Sequence, residues 1–209
     1  MKVCDLVRDK SVVIFDWDGT LVDSKKECYL ALKTLFKDKG KNLTFEEFLN
    51  YDIDPNRNIF VENEEIEANK FNELFYSICK DSIRLKHAAE KLINRLREDK
   101  KHIAIATNGP TDAIRSLIKH IKCDKFFDFV IGVEDNVKAK PKPDMLFKVM
   151  HHFKVSVDRC VFIGDAPRDI EAAKSASMCS IGLIDGVFPY NVIASAKPDF
   201  LSTIERIIE

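Results

Sequence analysis

Two aspartates one residue apart, Asp16 and Asp18, end the apolar run in Val12 to Asp23, which reads VVIFDWDGTLVD. Three further groups with chemical potential follow at long intervals: Thr107-Asn108-Gly109, Lys140 in AKPKP, and Asp165 with Asp169 in GDAPRD. Each trails an apolar, strand-like run. Open α/β sheets bind their ligands in the crevice outside the carboxyl ends of their strands, so a parallel sheet would bring all four groups to one place. In isolation, Asp18-Gly19 is ordinary turn chemistry, and Gly19 permits a turn at Trp17-Asp18-Gly19. The coincidence of four strand ends is what gives the acids a chemical reading.

Clustered carboxylates repel. Two unit charges 4 Å apart cost roughly 1 kcal/mol in water and about 4 kcal/mol at an effective dielectric of 20. A divalent cation relieves that repulsion, and oxygen donors with no histidine or cysteine beside them suit a hard ion such as Mg²⁺. A metal, an ammonium, a hydroxyl and backbone N–H groups around an open centre then suit a phosphoryl group. Lys140 supplies a point charge, Thr107 a donor, and Asn108 with Gly109 offer N–H groups at a helix start. One carboxylate can attack as nucleophile while another moves the protons.

The elements that must position these residues are legible from periodicity. From about residue 88 helical stripes alternate with short apolar runs, the pattern of a parallel sheet with crossover helices. Ala88, Ala89, Leu92, Ile93 and Leu96 stripe one helix, and His102 to Thr107 reads as a strand. Thr111 or Asp112 is expected to cap a helix carrying Ala113, Ile114, Leu117 and Ile118, followed by a strand over Phe127 to Val133. Pro143-Asp144 opens the next helix; Cys160 to Gly164 is a strand and Ile170 to Ala176 a helix. A strand near Cys179 to Ile184 and a helix ending at Glu209 complete the reading.

Residues 24–87 differ, with helical periodicity and no convincing buried strand. Cys28, Leu32, Leu35 and Phe36 share a face before Gly40, Thr44-x-x-Glu47 is a capping-box signal, and Ile66, Leu74, Phe75 and Ile78 stripe a long helix. The expected organisation is an α/β core of residues 1–23 and 88–209, with a helical cap, residues 24–87, inserted after the first strand and hanging over the aspartates.

Bulk properties exclude several classes. The chain has 209 residues, 45% hydrophobic and 32% charged, with a formal net charge of -1. There is no basic excess to recruit nucleic acid, and no apolar run approaches the roughly 20 residues of a membrane helix. The N-terminal MKVCDLVRDK mixes charges where a signal peptide would be apolar, so a cytoplasmic location is expected. Six scattered cysteines show neither zinc spacing nor a disulfide framework. The charge runs Lys37 to Lys41 and Glu62 to Glu67 read as solvated surface.

The four groups resemble the motifs of the haloacid dehalogenase-like hydrolases, in the phosphatase branch with a helical cap. DWDGTLVDS looks like the first motif, Thr107-Asn108 the second, Lys140 in KPKP the third and GDAPRDIEAAKSA the fourth. The resemblance spans nearly all the sheet-forming region and is weak in residues 24–87. It implies a Rossmann-like parallel sheet flanked by helices, with an inserted α-helical cap. It also implies Mg²⁺-dependent hydrolysis of a small phosphorylated metabolite, as in phosphoglycolate phosphatases. By position, Asp16 becomes the nucleophile and Asp18 the acid and then the base. Mg²⁺ would be held by Asp16, the Asp18 carbonyl and Asp165, with Asp169 a ligand or a partner through water; Thr107, Asn108, Gly109 and Lys140 would hold the phosphate.

The resemblance leaves open a phosphosugar mutase of the β-phosphoglucomutase type, a 5′-nucleotidase, or a non-catalytic binding protein on the same scaffold. It does not fix an oligomeric state. Asp18 favours phosphoester chemistry, and Asp165 with Asp169 favours a phosphatase over a mutase. Three positions depart from the common pattern: Ala166 for a serine, Ser177 for a glycine, and Lys86-His87 for Pro-Gly. The histidines His87, His102, His151 and His152 and the single Trp17 read as packing or surface residues. Lys25, Lys26 and Arg57 read as solvated cations.

Overall fold

The computed structural model describes residues 3–49, 59–61 and 64–208, of which 59–61 and 64–66 by their backbone alone. A short helix α1 (Val3–Asp9) leads into β1 (Val12–Phe15), whose four residues are all buried. Next come α2 (Lys25–Asp38), α3 (Phe45–Phe48), the hairpin strands β2 (Ile59–Val61) and β3 (Glu64–Ile66), and α4 (Ala68–Ser82). The chain then alternates through α5 (His87–Glu98), β4 (His102–Pro110), α6 (Thr111–His120), β5 (Phe129–Val133), α7 (Asp144–Phe153), β6 (Cys160–Gly164), α8 (Pro167–Ser175) and β7 (Cys179–Leu183). It finishes with α9 (Tyr190–Ser195), β8 (Phe200–Ser202) and α10 (Ile204–Ile208).

The six sheet strands lie in the order β5-β4-β1-β6-β7-β8 and every neighbouring pair is parallel. This is the expected Rossmann-like architecture. From β1 the chain winds outward through β4 and β5, then returns to β1's other edge with β6, so the order reverses between β1 and β6. A crevice opens at such a switch point. Phe15 registers with both Ile105 and Ile163, which brings the three strand ends to one level.

Continuous apolar runs make these strands suited to a sheet covered on both faces. Val13 and Phe15 pack with Leu92 and Ile93 of α5, Ile114 of α6 and Ile207 of α10. Val12 and Ile14 pack on the opposite face with Leu146 and Val149 of α7 and Ala172 and Ala173 of α8. No helix among the described residues is long and apolar enough to cross a membrane.

Several sequence expectations need correction. Among the described residues, the segment between β1 and α5 carries helices and an antiparallel hairpin in which Ile59 pairs with Ile66. Ile66 therefore belongs to β3, and α4 starts at Ala68. Strands of three residues are too short to show alternation. Pro110 occupies the cap of α6 in place of Thr111 or Asp112, and Thr111 Oγ1 instead accepts from the Gly132 N–H at 2.8 Å, tying α6 to β5. The expected last helix is a helix, a strand and a second helix, because Lys197-Pro198 ends α9 before β8 begins.

The substitution at Ser177 is visible in the backbone. Ser177 has φ 54°, the left-handed conformation in which glycine is usual. Its N–H donates to Lys174 O and the Met178 N–H to Ala173 O, both at 2.9 Å, a Schellman ending for α8.

Candidate active site

β1 delivers Asp16 while still paired: the Asp16 N–H donates to Ile163 O at 2.9 Å. The chain then folds back, with the Leu21 and Val22 N–H groups both donating to Trp17 O at 2.9 and 3.2 Å. Gly19 makes that turn at φ +79°, and a Cβ there would lie 2.3 Å from Asp165 Oδ2, so backbone and space both demand glycine. Trp17 is buried and sits edge-on to Phe127. The Asp18 carboxylate turns toward Ser24, whose Oγ donates to Oδ1 at 2.6 Å.

Lys140 is the electrostatic centre. Its Nζ donates to Asp16 Oδ1 at 2.6 Å and to Ala106 O at 2.9 Å, and pairs with Asp169 Oδ1 as an ion pair at 2.7 Å. Asn108 fixes its backbone from both sides: Lys140 N–H donates to Asn108 Oδ1 at 2.8 Å, and Asn108 Nδ2 donates to Lys140 O at 3.1 Å. Burial pulls the Lys140 pKa down, but the charges of Asp16 and Asp169 outweigh it and the net shift is upward.

The acids beside it are each held at defined oxygens. Asp165 accepts from Thr20 Oγ1 at 2.9 Å and from the Val187 N–H at 2.7 Å. Asp169 accepts from the Ala166 N–H at 2.9 Å, closing the first turn of α8, while its other oxygen faces Lys140. One carboxylate oxygen from each of Asp16, Asp165 and Asp169 can be chosen so that all three lie within 4.8 Å of one another. Burial and that crowding show in the pKa values of Asp16 and Asp165. Burial, then the Asp169 charge, pushes Asp16 up to about 7 and Asp165 up to about 6. Burial also raises Asp18.

A cavity of about 210 Å³ opens over these groups. Asp16, Asp18, Thr107, Asn108, Gly109, Lys140 and Asp165 all line it, so the structure brings together every sequence-identified site residue except Asp169, which lies outside the lining and contacts Lys140. The Gly109 N–H donates to Thr107 Oγ1 at 3.2 Å. The segment between β1 and α5 supplies another wall, with Lys25, Cys28, Phe48, Phe71, Phe75 and Tyr76. Burial pushes the Cys28 thiol up to about 12, which leaves no cysteine thiolate to compete as nucleophile at this wall.

Sequence reasoning missed Thr20, Ser24, Val187 and Tyr76. Thr20 and Ser24 stand inside the first motif and carried a signal through their hydroxyls; Val187 acts by its backbone and carried none. Lys25, read as a solvated cation, is half-buried and lines the cavity, whereas Lys26 is exposed. Arg57 lies outside the described residues. The departure at Lys86-His87 marks where the chain returns to the sheet. The Lys86 N–H donates to Leu21 O at 2.9 Å, Leu85 bridges Val22, and Lys86 Nζ donates to Gly19 O.

Sheet and cleft together define a Rossmann-like α/β enzyme whose acids and lysine converge at the topological switch point. The chain belongs to the haloacid dehalogenase-like hydrolase family, whose model matches residues 13–183. It is similar to a Caldanaerobacter subterraneus subsp. tengcongensis protein provisionally named a pyrophosphatase, 26% identical over 198 residues, covering 91% of this chain and 89% of that one. It is also similar to the phosphoglycolate phosphatase of Colwellia psychrerythraea, 28% identical over 197 residues, covering 86% of this chain and 87% of that one. Among solved structures, one from Lactobacillus delbrueckii subsp. bulgaricus superposes with a TM-score of 0.80 at 22% identity, over 100% of this chain and 98% of that one. That last likeness shows the fold.

Proposed function

We propose that the protein is a Mg²⁺-dependent phosphomonoesterase that hydrolyses a small phosphorylated metabolite through an aspartyl-phosphate intermediate on Asp16. The observation that carries this reading is the convergence of Asp16, Asp18, Thr107 and Lys140 on one cavity at the sheet's switch point. The phosphatase names of relatives support it. We read residues 24–87 as a cap over this site and the rest as the core.

Lys140 engages Asp16 Oδ1, which assigns attack on phosphorus to Oδ2. Asp18, its carboxyl pKa raised by burial, protonates the departing ester oxygen and then takes a proton from the water that releases phosphate. Thr107 and the backbone around Asn108 and Gly109 bind the phosphoryl oxygens. Asn108 positions Lys140, and Lys140 holds Asp16.

The all-oxygen donor set and the raised pKa values of Asp16 and Asp165 fit a hard divalent cation. Asp16, Asp165 and the Asp18 carbonyl would hold it; Asp169, with one oxygen on Lys140 and the other on Ala166 N–H, fits contact through water. When bound, Mg²⁺ would offset the phosphate charge. Six free cysteines accord with work in the reducing cytoplasm.

The test is turnover of p-nitrophenyl phosphate and a panel of metabolite esters with Mg²⁺. Wild type should release inorganic phosphate at every cycle, and Asp16→Asn should lose turnover by several orders of magnitude. No turnover of any ester, or Asp16→Asn matching wild type, would refute the proposal.

A further inference from the structure

Tyr76 of α4, in the segment between β1 and α5, reaches to the end of β4. Its hydroxyl oxygen lies 2.0 Å from where a Cβ on Gly109 would stand, so the missing side chain at 109 admits the phenol to the cavity. The residue is 7% exposed and lines the cavity. A hydroxyl that faces the open cavity is free to pair with water or with a ligand there. Burial, then the charges of Asp18, Cys79 and Asp16, holds the phenol pKa well above its ordinary value, so it is a donor at neutral pH.

The surroundings of that donor are rings. Phe75 meets Tyr76 edge-on at 5.0 Å and stacks on Phe71 at 5.6 Å, and Phe48 and Phe188 line the same cavity. Aromatic faces offer dispersion and exclude water, and they do nothing for a second anionic group. Two half-buried cations, Lys25 and Arg168, also border the cavity; Arg168 lies over the Phe188 ring at 5.8 Å.

We propose that Tyr76 is a specificity-determining residue. Its hydroxyl donates to an oxygen on the leaving group while the Phe48, Phe71, Phe75 and Phe188 rings pack a planar or apolar body. The substrate class is a phosphomonoester of an alcohol with an apolar body and a neutral oxygen near the ester, in preference to a compact polyanion such as phosphoglycolate or pyrophosphate. This rests on the phosphatase reading above.

The probes are 2-hydroxy-2-phenylethyl phosphate and 2-phenylethyl phosphate, which differ by one hydroxyl, together with phosphoglycolate, pyrophosphate and acetyl phosphate. A site built to pair with a substrate hydroxyl rejects the analogue lacking it, because its own buried group is left unpaired. Wild type should favour the hydroxylated ester over its analogue by about tenfold in kcat/KM, and both over phosphoglycolate and pyrophosphate. Tyr76→Phe keeps the ring and should abolish the preference between the two phenyl esters, chiefly through KM. An unchanged preference in Tyr76→Phe would overturn the role of the hydroxyl. Phosphoglycolate or pyrophosphate as the better wild-type substrate would overturn the substrate class and assign selection to Lys25 and Arg168. Failure to hydrolyse any of these phosphates, the reactive anhydride acetyl phosphate included, would overturn the phosphatase reading and this inference with it.

Discussion

At the scale of single residues, the acids of the site are held in place by groups behind them. Thr20 is the clearest. It is fully buried and spends its hydroxyl proton on Asp165 Oδ1. Thr20→Val preserves shape and removes that donor, leaving a buried carboxylate oxygen short of a partner and free to turn. If Asp165 holds Mg²⁺ as proposed, loss of the partner behind it should weaken metal binding about 10–100-fold. The Mg²⁺ concentration for half-maximal turnover should rise by that factor, with turnover largely recovered at saturating Mg²⁺. An unchanged half-activating concentration would show that Thr20 does not tune the metal. The types and order of Asp16, Thr107, Lys140 and Asp165 were legible in the sequence because each chemical group follows its own strand. Thr20 meets Asp165 across 145 positions, and the Val187 contribution is a backbone N–H. Pairings of that kind exist only after the sheet has closed.

At the scale of elements, two helix ends carry separable energies. Ser177 closes α8 in the left-handed region, and its backbone already makes the hydrogen bonds that glycine would make. Ser177→Gly removes the Cβ strain while loosening the unfolded chain, and should stabilise the protein by about 0.5–1 kcal/mol net. The urea midpoint should rise with an unchanged slope; a lower midpoint would mean that the serine hydroxyl contributes more than the strain costs.

At the start of α3, Thr44 and Glu47 cap each other: Thr44 N–H and Oγ1 reach Glu47 Oε2 at 2.8 and 2.7 Å, and Glu47 N–H donates to Thr44 Oγ1 at 3.2 Å. The Thr44 hydroxyl, then its N–H, pulls the Glu47 pKa below the ordinary 4.5. A depressed folded pKa means stability that is complete above 4.5 and lost as pH falls through the lower folded value. The melting-temperature advantage of wild type over Glu47→Gln should therefore be present at neutral pH and shrink in acid below that window. An advantage independent of pH would assign it to packing. This box was legible because capping is local, and so were the stripes of α2 and α5. The β2–β3 hairpin and β8 were not, since three-residue strands are specified by their partners.

At the scale of the whole molecule, the segment between β1 and α5 and the sheet share one apolar cluster. Leu32 and Phe36 of α2 and Phe71 and Phe75 of α4 belong to the same buried group as Val13 and Phe15 of β1 and Trp17 beside them. The two chain crossings into and out of that segment are also tied, Val22 to Leu85 and Leu21 to Lys86. Elements that bury each other's apolar surface open together, whereas an insertion with a separate core would open first. Amides of Ala31 and Leu32 should therefore exchange with an opening free energy equal to that of Val13 and Ile14. Phe36→Ala, truncating a ring that is 4% exposed, should lower all of them together by about 3–5 kcal/mol. Trp17, the only tryptophan, reports on β1, so its fluorescence transition in urea should coincide with the loss of helical circular dichroism. If α2 amides exchanged far faster than those of β1, or Phe36→Ala weakened α2 alone, the segment would be a separately unfolding lid. The placement of Tyr76 against Gly109 would then describe one state of a moving wall, and the selectivity assigned to it would depend on how often that state is populated.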